Sequence, residues 1–292
     1  MMYHLLSFFV RILSYIPFSL LYILSDGLFY LIYFVIRYRR TIVCKNLKES
    51  FPEKSAQEIK MIEKKFYRFF ADNILESCKM ATVSPKEMGR RMNFVNMEDV
   101  NSILREGKSV SLYLGHYGNW EWVSSIPLHM ADNVVGAQIY HKLRNGNMDK
   151  LILHNRERMG AVCVEMRKTA RYINEQVKSK KVSMTGYIAD QSPRKKEAIH
   201  FLRFLNHNIP VLVGTEKITK HYGFDAWFVK VRRIKRGYYE AKFVRMHDNP
   251  QSLPDFELTS IYFDMLEQMI KENPELYLWT HNRFKYAKNI IE

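Results

Sequence analysis

The segment Gly115-His116-Tyr117-Gly118-Asn119-Trp120-Glu121 holds the residue types in this chain that are best suited to chemistry. A histidine can take a proton from a hydroxyl group near neutral pH. Glu121 follows His116 by five positions and can accept a hydrogen bond from one ring nitrogen, which raises the basicity of the other. Gly115 and Gly118 allow the backbone to turn tightly between a strand and a helix. The segment therefore predicts a general base, His116, that Glu121 orients.

Other interpretations of His116 are a purely structural histidine and a metal ligand. No serine or cysteine beside it offers a nucleophile, so direct attack by an acceptor hydroxyl is simpler than a covalent intermediate. No third and fourth ligand has the spacing of a metal site, so we predict neither a metal ion nor a cofactor. The three cysteines, Cys44, Cys78 and Cys163, are scattered and favour a reducing compartment.

The chain around this segment predicts an α/β fold, with a largely parallel, mixed sheet flanked by helices. Strands and helices alternate from about residue 109, which is typical of such a sheet. The predicted strands are 109–114, 133–139, 161–164, 182–188, 226–231 and 238–243; the predicted helices include 56–80, 120–130, 147–158, 168–176 and 255–271. A capping box at Ser55-Ala56-Gln57-Glu58 and a start signal at Ser84-Pro85 begin two helices before the sheet. The last two strands flank Arg236-Gly237 and predict a hairpin, and His116 would lie where a strand gives way to a helix, the usual ligand position.

The N-terminal residues predict a membrane anchor. Residues 3–36 are dominated by apolar and aromatic side chains, with Arg11 and Asp26 as the charged exceptions. A helix over 12–36 could span a bilayer, but Asp26 would then lie near its middle at a cost of a few kcal/mol. Alternatively, Pro17 and Gly27 break the segment into two helices that lie in the interface. Spanning and embedding therefore both stay open, and a pair of buried core helices fits less well.

The residues after this segment indicate its orientation and a domain boundary. Arg37-Tyr38-Arg39-Arg40 is typical of a cytoplasmic membrane boundary, and no small-residue cleavage site suggests a signal peptide. We therefore predict a membrane anchor over 1–40 and one catalytic domain over 41–292, on the cytoplasmic side.

The net charge of +15 predicts an anionic partner. The stretch from Arg194 to Arg245 has thirteen Lys and Arg against four Asp and Glu, so it carries +9 of that charge. Nucleic acid is a poor candidate, since no recognisable nucleic-acid motif is present and the N-terminus is apolar. An anionic membrane surface or an acidic protein fits better, and a solvated face without a dedicated partner is the alternative.

Several further segments, in a fixed order, carry a resemblance that covers nearly the whole chain. They are Tyr38-Arg39-Arg40-Thr41-Ile42-Val43, Asn46-Leu47, the His116 segment, Asn155-Arg156-Glu157-Arg158-Met159-Gly160, Ala189-Asp190-Gln191-Ser192-Pro193, Gly214-Thr215-Glu216 and Pro274-Glu275-Leu276-Tyr277-Leu278-Trp279-Thr280-His281-Asn282-Arg283-Phe284-Lys285. Together they resemble the bacterial lipid A biosynthesis acyltransferases, the lauroyl/myristoyl "late" enzymes of the lysophospholipid acyltransferase-like superfamily.

The resemblance implies a reaction, its partners and a location. A fatty acyl chain would pass from acyl carrier protein, or coenzyme A in related enzymes, to a hydroxyl of a membrane lipid, here a lipid A precursor. His116 would be the base and Glu121 its partner, at the cytoplasmic face of the bacterial inner membrane. Either Arg156 or Arg158 would stabilise the oxyanion of the thioester; the sequence does not separate the two.

The resemblance also brings other residues to the site. Asp190 and Gln191 would lie at the carboxyl edge of the sheet, although their segment is also good turn chemistry. Gly214 and Thr215 would line the same cleft, with a helix cap as the alternative for Thr215. Arg283 would meet a lipid or pantetheine phosphate.

The chemistry would be the same for a lysophospholipid or an aminolipid acceptor, so these acceptors stay open. A non-enzymatic basic membrane protein is a further alternative.

Overall fold

The computed structural model describes residues 2–195 and 198–287. Helices come first, as predicted, and they end at a short first strand. They are α1 (Met2–Tyr15), α2 (Phe18–Tyr30), a π-helical turn (Leu31–Val35), α3 (Arg40–Ser50), α4 (Ala56–Lys79) and α5 (Pro85–Arg91). The capping box is confirmed, because Ser55 accepts from the backbone of Glu58 and the Glu58 side chain accepts from the backbone of Ser55. The second start signal is confirmed as well, since Ser84 caps α5 and Pro85 is its first residue.

A seven-stranded sheet forms the centre of the remainder, and it confirms the predicted mixed, largely parallel α/β fold. Its strands are β1 (Met92–Phe94), β2 (Val110–Leu114), β3 (Val135–Tyr140), β4 (Val162–Glu165), β5 (Ser183–Ile188), β8 (Asp225–Lys235) and β9 (Tyr238–His247). Their order is β1-β9-β8-β2-β5-β3-β4. The β8–β9 pair is antiparallel, as the predicted hairpin requires, and the other pairs are parallel.

The helices that connect and cover the strands are α6 (Met97–Arg105), α7 (Trp120–Val123), α8 (Gly146–Glu157), α9 (Thr169–Lys178), α10 (Gly214–Tyr222) and α11 (Glu257–Glu272). The prediction of one helix over 120–130 is wrong in length. Helix α7 ends at Val123, and a separate 3₁₀ turn, Ile126–His129, follows with Pro127 in its first turn. Proline has no N–H for an α-helical hydrogen bond, so it favours this break.

A second, two-stranded sheet had no counterpart in the prediction. It consists of β6 (His200–Phe204) and β7 (His207–Val211), which pair in antiparallel fashion. Both turn residues have positive φ, 47° at Leu205 and 62° at Asn206. A two-residue hairpin turn with two positive φ values usually carries Asn or Gly at both positions. Leucine at position 205 departs from this pattern, so the sequence did not predict the hairpin.

The N-terminal segment forms two helices rather than one continuous helix. The predicted break at Pro17 is observed, whereas Gly27 lies inside α2 and does not break it. Leu21 and Phe29 are buried where α2 packs on α4, while Ile23 on the other side is 65% exposed. Within the described residues, Phe18–Val35 is the single helical stretch long and apolar enough to cross a membrane, by length and composition alone.

The basic stretch from 194 to 245 is not one free cationic surface. Arg236 pairs with both Asp72 and Asp26, at 2.6 and 2.8 Å, and Arg233 pairs with Asp72 at 2.8 Å. Further pairs are Lys220–Asp255, Lys230–Glu272, Arg232–Glu240 and Arg245–Asp225. Much of the charge that the sequence concentrates here is therefore compensated by carboxylates of the same chain. The pairing also gives Asp26 a cation, which lowers the cost of a carboxylate in the apolar segment.

Candidate active site

His116 and Asp190 are brought together by the register of two adjacent parallel strands. Leu114, the last residue of β2, pairs with Ile188, the last residue of β5. His116 and Asp190 each follow two residues later, so both lie at the same point of the carboxyl edge. This is the edge at which ligands bind in such sheets.

Asp190, rather than Glu121, is the carboxylate that orients His116. His116 Nδ1 lies 2.6 Å from Asp190 Oδ1, and the His116 backbone N–H donates to Asp190 Oδ2 at 3.1 Å. Asp190 is almost completely buried. Burial disfavours its charged form, but the charge and hydrogen bonds of His116 outweigh burial and hold the pKa of Asp190 below its ordinary value. An ionised Asp190 accepts a hydrogen bond from Nδ1–H of His116, and this leaves Nε2 as the basic nitrogen.

The Nε2 atom of His116 faces a pocket. The His116 side chain is 19% exposed, and the Gln191 side-chain nitrogen lies 3.2 Å from Nε2. With Nδ1–H donated to Asp190, Nε2 accepts from this amide. A substrate hydroxyl that bonds to Nε2 would take the place of the Gln191 amide, and a role of Gln191 in substrate binding stays a prediction.

The predicted contact between His116 and Glu121 is wrong. Glu121 lies in the first turn of α7, where its carboxylate accepts two hydrogen bonds from Arg156 of α8, at 2.7 and 2.9 Å. Burial opposes ionisation of Glu121, yet Arg156 outweighs it and lowers the pKa of the carboxyl group. Glu121 and Arg156 both line the pocket that His116 faces, so a catalytic contribution of Glu121 stays a prediction.

The structure separates the two candidate arginines. Arg156 lines the pocket, and its bidentate bond to Glu121 leaves further N–H donors of its guanidinium unused by this pair. Arg158 is exposed, does not line the pocket and donates to the backbone carbonyl of Met80. Of the two, only Arg156 lines the pocket that His116 faces.

The pocket has a volume of about 760 Å³ and is lined by both polar and apolar side chains. Its polar residues include His116, Glu121 and Arg156, and the predicted Gln191, Gly214 and Thr215 also line it. Its apolar residues include Leu112, Leu114, Val123, Ile126, Pro127, Met130, Ala137, Ile139, Met184, Ile188, Leu212 and Ile218. Such a cavity suits a long apolar group whose one end meets the charged residues.

Two glycines permit the turn that presents His116, as predicted. A Cβ atom at Gly115 would lie 2.5 Å from Leu266, so glycine allows α11 to approach the turn closely. Gly118 has a φ of +60°, and a Cβ there would lie 2.6 Å from Val231. A side chain at either position would require Leu266 or Val231 to shift, and the positive φ of Gly118 also favours glycine.

Arg283 is buried outside the residues that line the pocket, and its contact with a ligand phosphate stays a prediction. It is 1% exposed, does not line the pocket, and donates from Nη1 to Ser192 Oγ and to the Pro210 carbonyl, each at 3.3 Å. Its charge contributes to the lowered pKa of Asp190. Arg283 thus holds the loop that follows Asp190 through its bond to Ser192. This position depends on tertiary packing, which the sequence does not reveal.

The C-terminal run holds the same loop at further points. Ser192 donates from its hydroxyl to the Arg283 carbonyl at 2.5 Å, and its backbone N–H donates to His281 Nε2 at 3.3 Å. Asn46 of α3 donates to the carbonyls of Trp279 and His281, at 3.0 and 2.9 Å. Two of the segments that carry the resemblance, Asn46-Leu47 and the C-terminal run 274–285, therefore support the site structurally.

His281 predicts a pH dependence of stability. It accepts a hydrogen bond, and burial lowers its pKa from 6.5 to about 4. Between these pH values the unfolded chain binds a proton that the folded protein does not, so stability falls as the pH falls from 6.5 towards 4. We expect the His281→Gln variant, which keeps an acceptor, to lose less Tm than wild type between about pH 7 and about pH 4.5. Thermal melts of both proteins, with exposed His221→Gln as the control, measure this; equal slopes for wild type and His281→Gln would contradict it.

Comparisons with known proteins agree with the family that the motifs resemble. Residues 1–286 match the family of bacterial lipid A biosynthesis acyltransferases. A curated relative, a lipid A biosynthesis acyltransferase of Haemophilus influenzae, is 23% identical over 277 residues, which cover 93% of this chain and 84% of the relative. The resemblance inferred from the motifs is confirmed over nearly the whole length.

Proposed function

Since the chain belongs to the bacterial lipid A biosynthesis acyltransferase family, we propose that it transfers a fatty acyl chain from acyl carrier protein to a hydroxyl of a lipid A precursor. The observation that carries this proposal is the His116–Asp190 pair, with His116 in the wall of a largely apolar pocket of about 760 Å³. A base beside an apolar cavity is what an enzyme needs to activate a hydroxyl next to a bound acyl chain.

In the proposed mechanism, His116 Nε2 accepts the proton of the acceptor hydroxyl while its oxygen attacks the thioester carbon. Asp190 stabilises the imidazolium that forms, because its carboxylate is ionised and bonded to Nδ1. The tetrahedral intermediate bears an oxyanion, which the Arg156 guanidinium stabilises. Collapse breaks the carbon–sulfur bond, and the imidazolium returns the proton to the leaving thiolate. The products are the acyl ester and the free thiol of the carrier.

Glu121 has a different task in this mechanism from the one predicted. Its two hydrogen bonds with Arg156 fix the guanidinium plane in the pocket wall. A bidentate pair restricts the orientation of the arginine more than a single bond does. Glu121 therefore positions the cation, and Asp190 positions the base.

Charge at the pocket supports anionic partners. Arg156, Arg167 and Arg194 line the pocket with His141, and these three arginines outnumber the two carboxylates in the lining, Glu121 and Asp149. Acyl carrier protein is acidic and lipid A precursors carry phosphates, so both fit a basic pocket lining.

The N-terminal helices support action at a membrane. Phe8 on α1, Ile23 on α2 and Val35 on the π-helical turn are 60%, 65% and 73% exposed. Helix α1 also packs against α8, which carries Arg156. We propose that these apolar faces contact the inner membrane from its cytoplasmic side, which brings a lipid acceptor close to the pocket.

The acceptor is tested by a comparison of three lipids. The purified full chain is given acyl–acyl carrier protein with a lipid A precursor, a lysophospholipid or an aminolipid, and products are identified by mass spectrometry. We expect acylation of the lipid A precursor, and a parallel reaction with acyl–coenzyme A to be slower. Product with another lipid alone would overturn the acceptor, and no product with any lipid would favour a non-enzymatic protein.

A further inference from the structure

Glu76, in the middle of α4, joins three parts of the molecule through one buried carboxylate. The residue is fully buried, with 0% exposure. Oε1 accepts from the hydroxyl of Tyr22 on α2 at 2.8 Å. Oε2 accepts from the side-chain amide of Asn119 and from the hydroxyl of Tyr239 on β9, both at 2.8 Å. Full burial of a carboxylate is costly unless donors satisfy it, and here three donors converge.

One of these donors belongs to the segment that carries the catalytic residues. Asn119 Oδ1 accepts from the backbone N–H of Trp122 at 3.0 Å and so caps α7, the helix that holds Glu121. The Trp122 indole donates to the Glu76 carbonyl at 3.0 Å, and Asn73 of α4 donates to the Gly118 carbonyl at 3.2 Å. Helix α4 therefore holds the turn between His116 and Glu121 by several hydrogen bonds.

The Tyr22 hydroxyl extends this chain of contacts to the N-terminal helices. One turn further along α2, Ser25 donates to Asp72 of α4 at 2.7 Å. Asp72 precedes Glu76 by one turn and pairs with Arg233 and Arg236 rather than with the catalytic segment. Both α2–α4 hydrogen bonds thus join a hydroxyl to a carboxylate. Glu76, the carboxylate that Tyr22 contacts, also accepts from Asn119.

We propose that Glu76 is a positioning residue that couples the seating of α2 on α4 to the placement of the catalytic turn, residues 115–121. When Tyr22 is bound, Glu76 is held from the α2 side, and its other oxygen fixes Asn119 and the start of α7. Loss of the Tyr22 bond lets the carboxylate move, so Glu121 and Arg156 lose their alignment with His116. The fall in kcat is then larger than the fall in affinity for the donor, since the apolar lining of the pocket is unchanged.

A matched pair of variants tests this coupling. Tyr22→Phe and Ser25→Ala each remove one hydroxyl donor from α2 to a carboxylate of α4. We expect Tyr22→Phe to lower kcat of acyl transfer about five- to tenfold with little change in KM for the donor, the effect of one hydrogen bond lost. Ser25→Ala should lower Tm about as much as Tyr22→Phe lowers it, but it should leave kcat near wild type. Equal effects on kcat, or no effect of Tyr22→Phe, would overturn the coupling.

Substitutions of Glu76 itself supply a conservative rescue. Glu76→Gln retains an oxygen that accepts from Asn119 and Tyr239, and its amide can donate to the Tyr22 oxygen, because a phenol also accepts. We expect kcat near wild type for Glu76→Gln and a loss of at least about tenfold for Glu76→Leu, with circular dichroism to confirm folding of both. A folded Glu76→Gln variant as slow as Glu76→Leu would contradict positioning by hydrogen bonds.

A readout without substrate separates this inference from the proposed function, on which the kinetic assay rests. In protein labelled with ¹⁵N-histidine, the ring nitrogens of His116 are assigned by their loss in His116→Ala. We expect Tyr22→Phe to shift these signals and Ser25→Ala to leave them in place. Unchanged His116 signals in Tyr22→Phe would overturn the positioning role, whatever the activity of the wild type.

Discussion

The Asp190→Asn variant is expected to lower kcat of acyl transfer by about 10³- to 10⁴-fold. An asparagine can turn its amide nitrogen towards His116 Nδ1, which places the ring proton on Nε2 and removes the basic nitrogen from the pocket. The variant also lacks the negative charge that stabilises the imidazolium. The measurement is kcat at saturating donor and acceptor, together with KM for each, which should change little.

Asp225→Asn is the matched control for Asp190→Asn. Asp225 is also buried and pairs with Arg245 at 2.6 Å, but it begins β8 and so lies at the opposite end of the sheet from His116. We expect this variant to lower Tm while kcat stays near wild type. A similar loss of kcat in both variants would mean that Asp190 matters for stability alone.

The Arg156→Ala variant is expected to lower kcat by about 10²- to 10³-fold, the usual cost of removing a donor to a developing oxyanion. Arg156→Lys keeps the charge but loses the bidentate geometry, so its kcat should be intermediate. Arg158→Ala, two positions along the chain and outside the pocket, should retain kcat near wild type. Equal losses in the Arg156 and Arg158 variants would contradict the assignment.

A double variant distinguishes two roles of Arg156. Loss of the arginine leaves Glu121 as an unpaired carboxylate in the pocket, and this alone could slow the reaction. If neutralising Glu121 were the whole role, Glu121→Gln in the Arg156→Ala background would restore kcat. Direct stabilisation of the oxyanion predicts that kcat stays low in the double variant.

Local sequence patterns were enough to predict the edge of the sheet at which His116 lies. The alternation after residue 109 predicted the parallel sheet, and a strand followed by glycine predicted that His116 lies at the carboxyl edge. These features depend on residues close together in the chain. The same holds for the capping box at Ser55 and the β8–β9 hairpin.

The partner of His116 could not be predicted in this way, because it comes from another strand. Asp190 follows His116 by 74 residues, and only the register of β2 with β5 places the two side by side. Glu121, though close in sequence, is directed towards α8 and meets Arg156. The burial of Arg283 likewise depends on β7 and on the Asp190 loop, which no local pattern reveals.

The most direct test of His116 as the general base compares acyl transfer by the wild type with that by His116→Ala. Both proteins, shown to be folded by circular dichroism, are given acyl–acyl carrier protein and a lipid A precursor, and the acylated lipid is measured over time. We expect formation of the ester by the wild type and a rate lower by at least about 10³-fold for the variant. Equal rates would show that His116 is not the base.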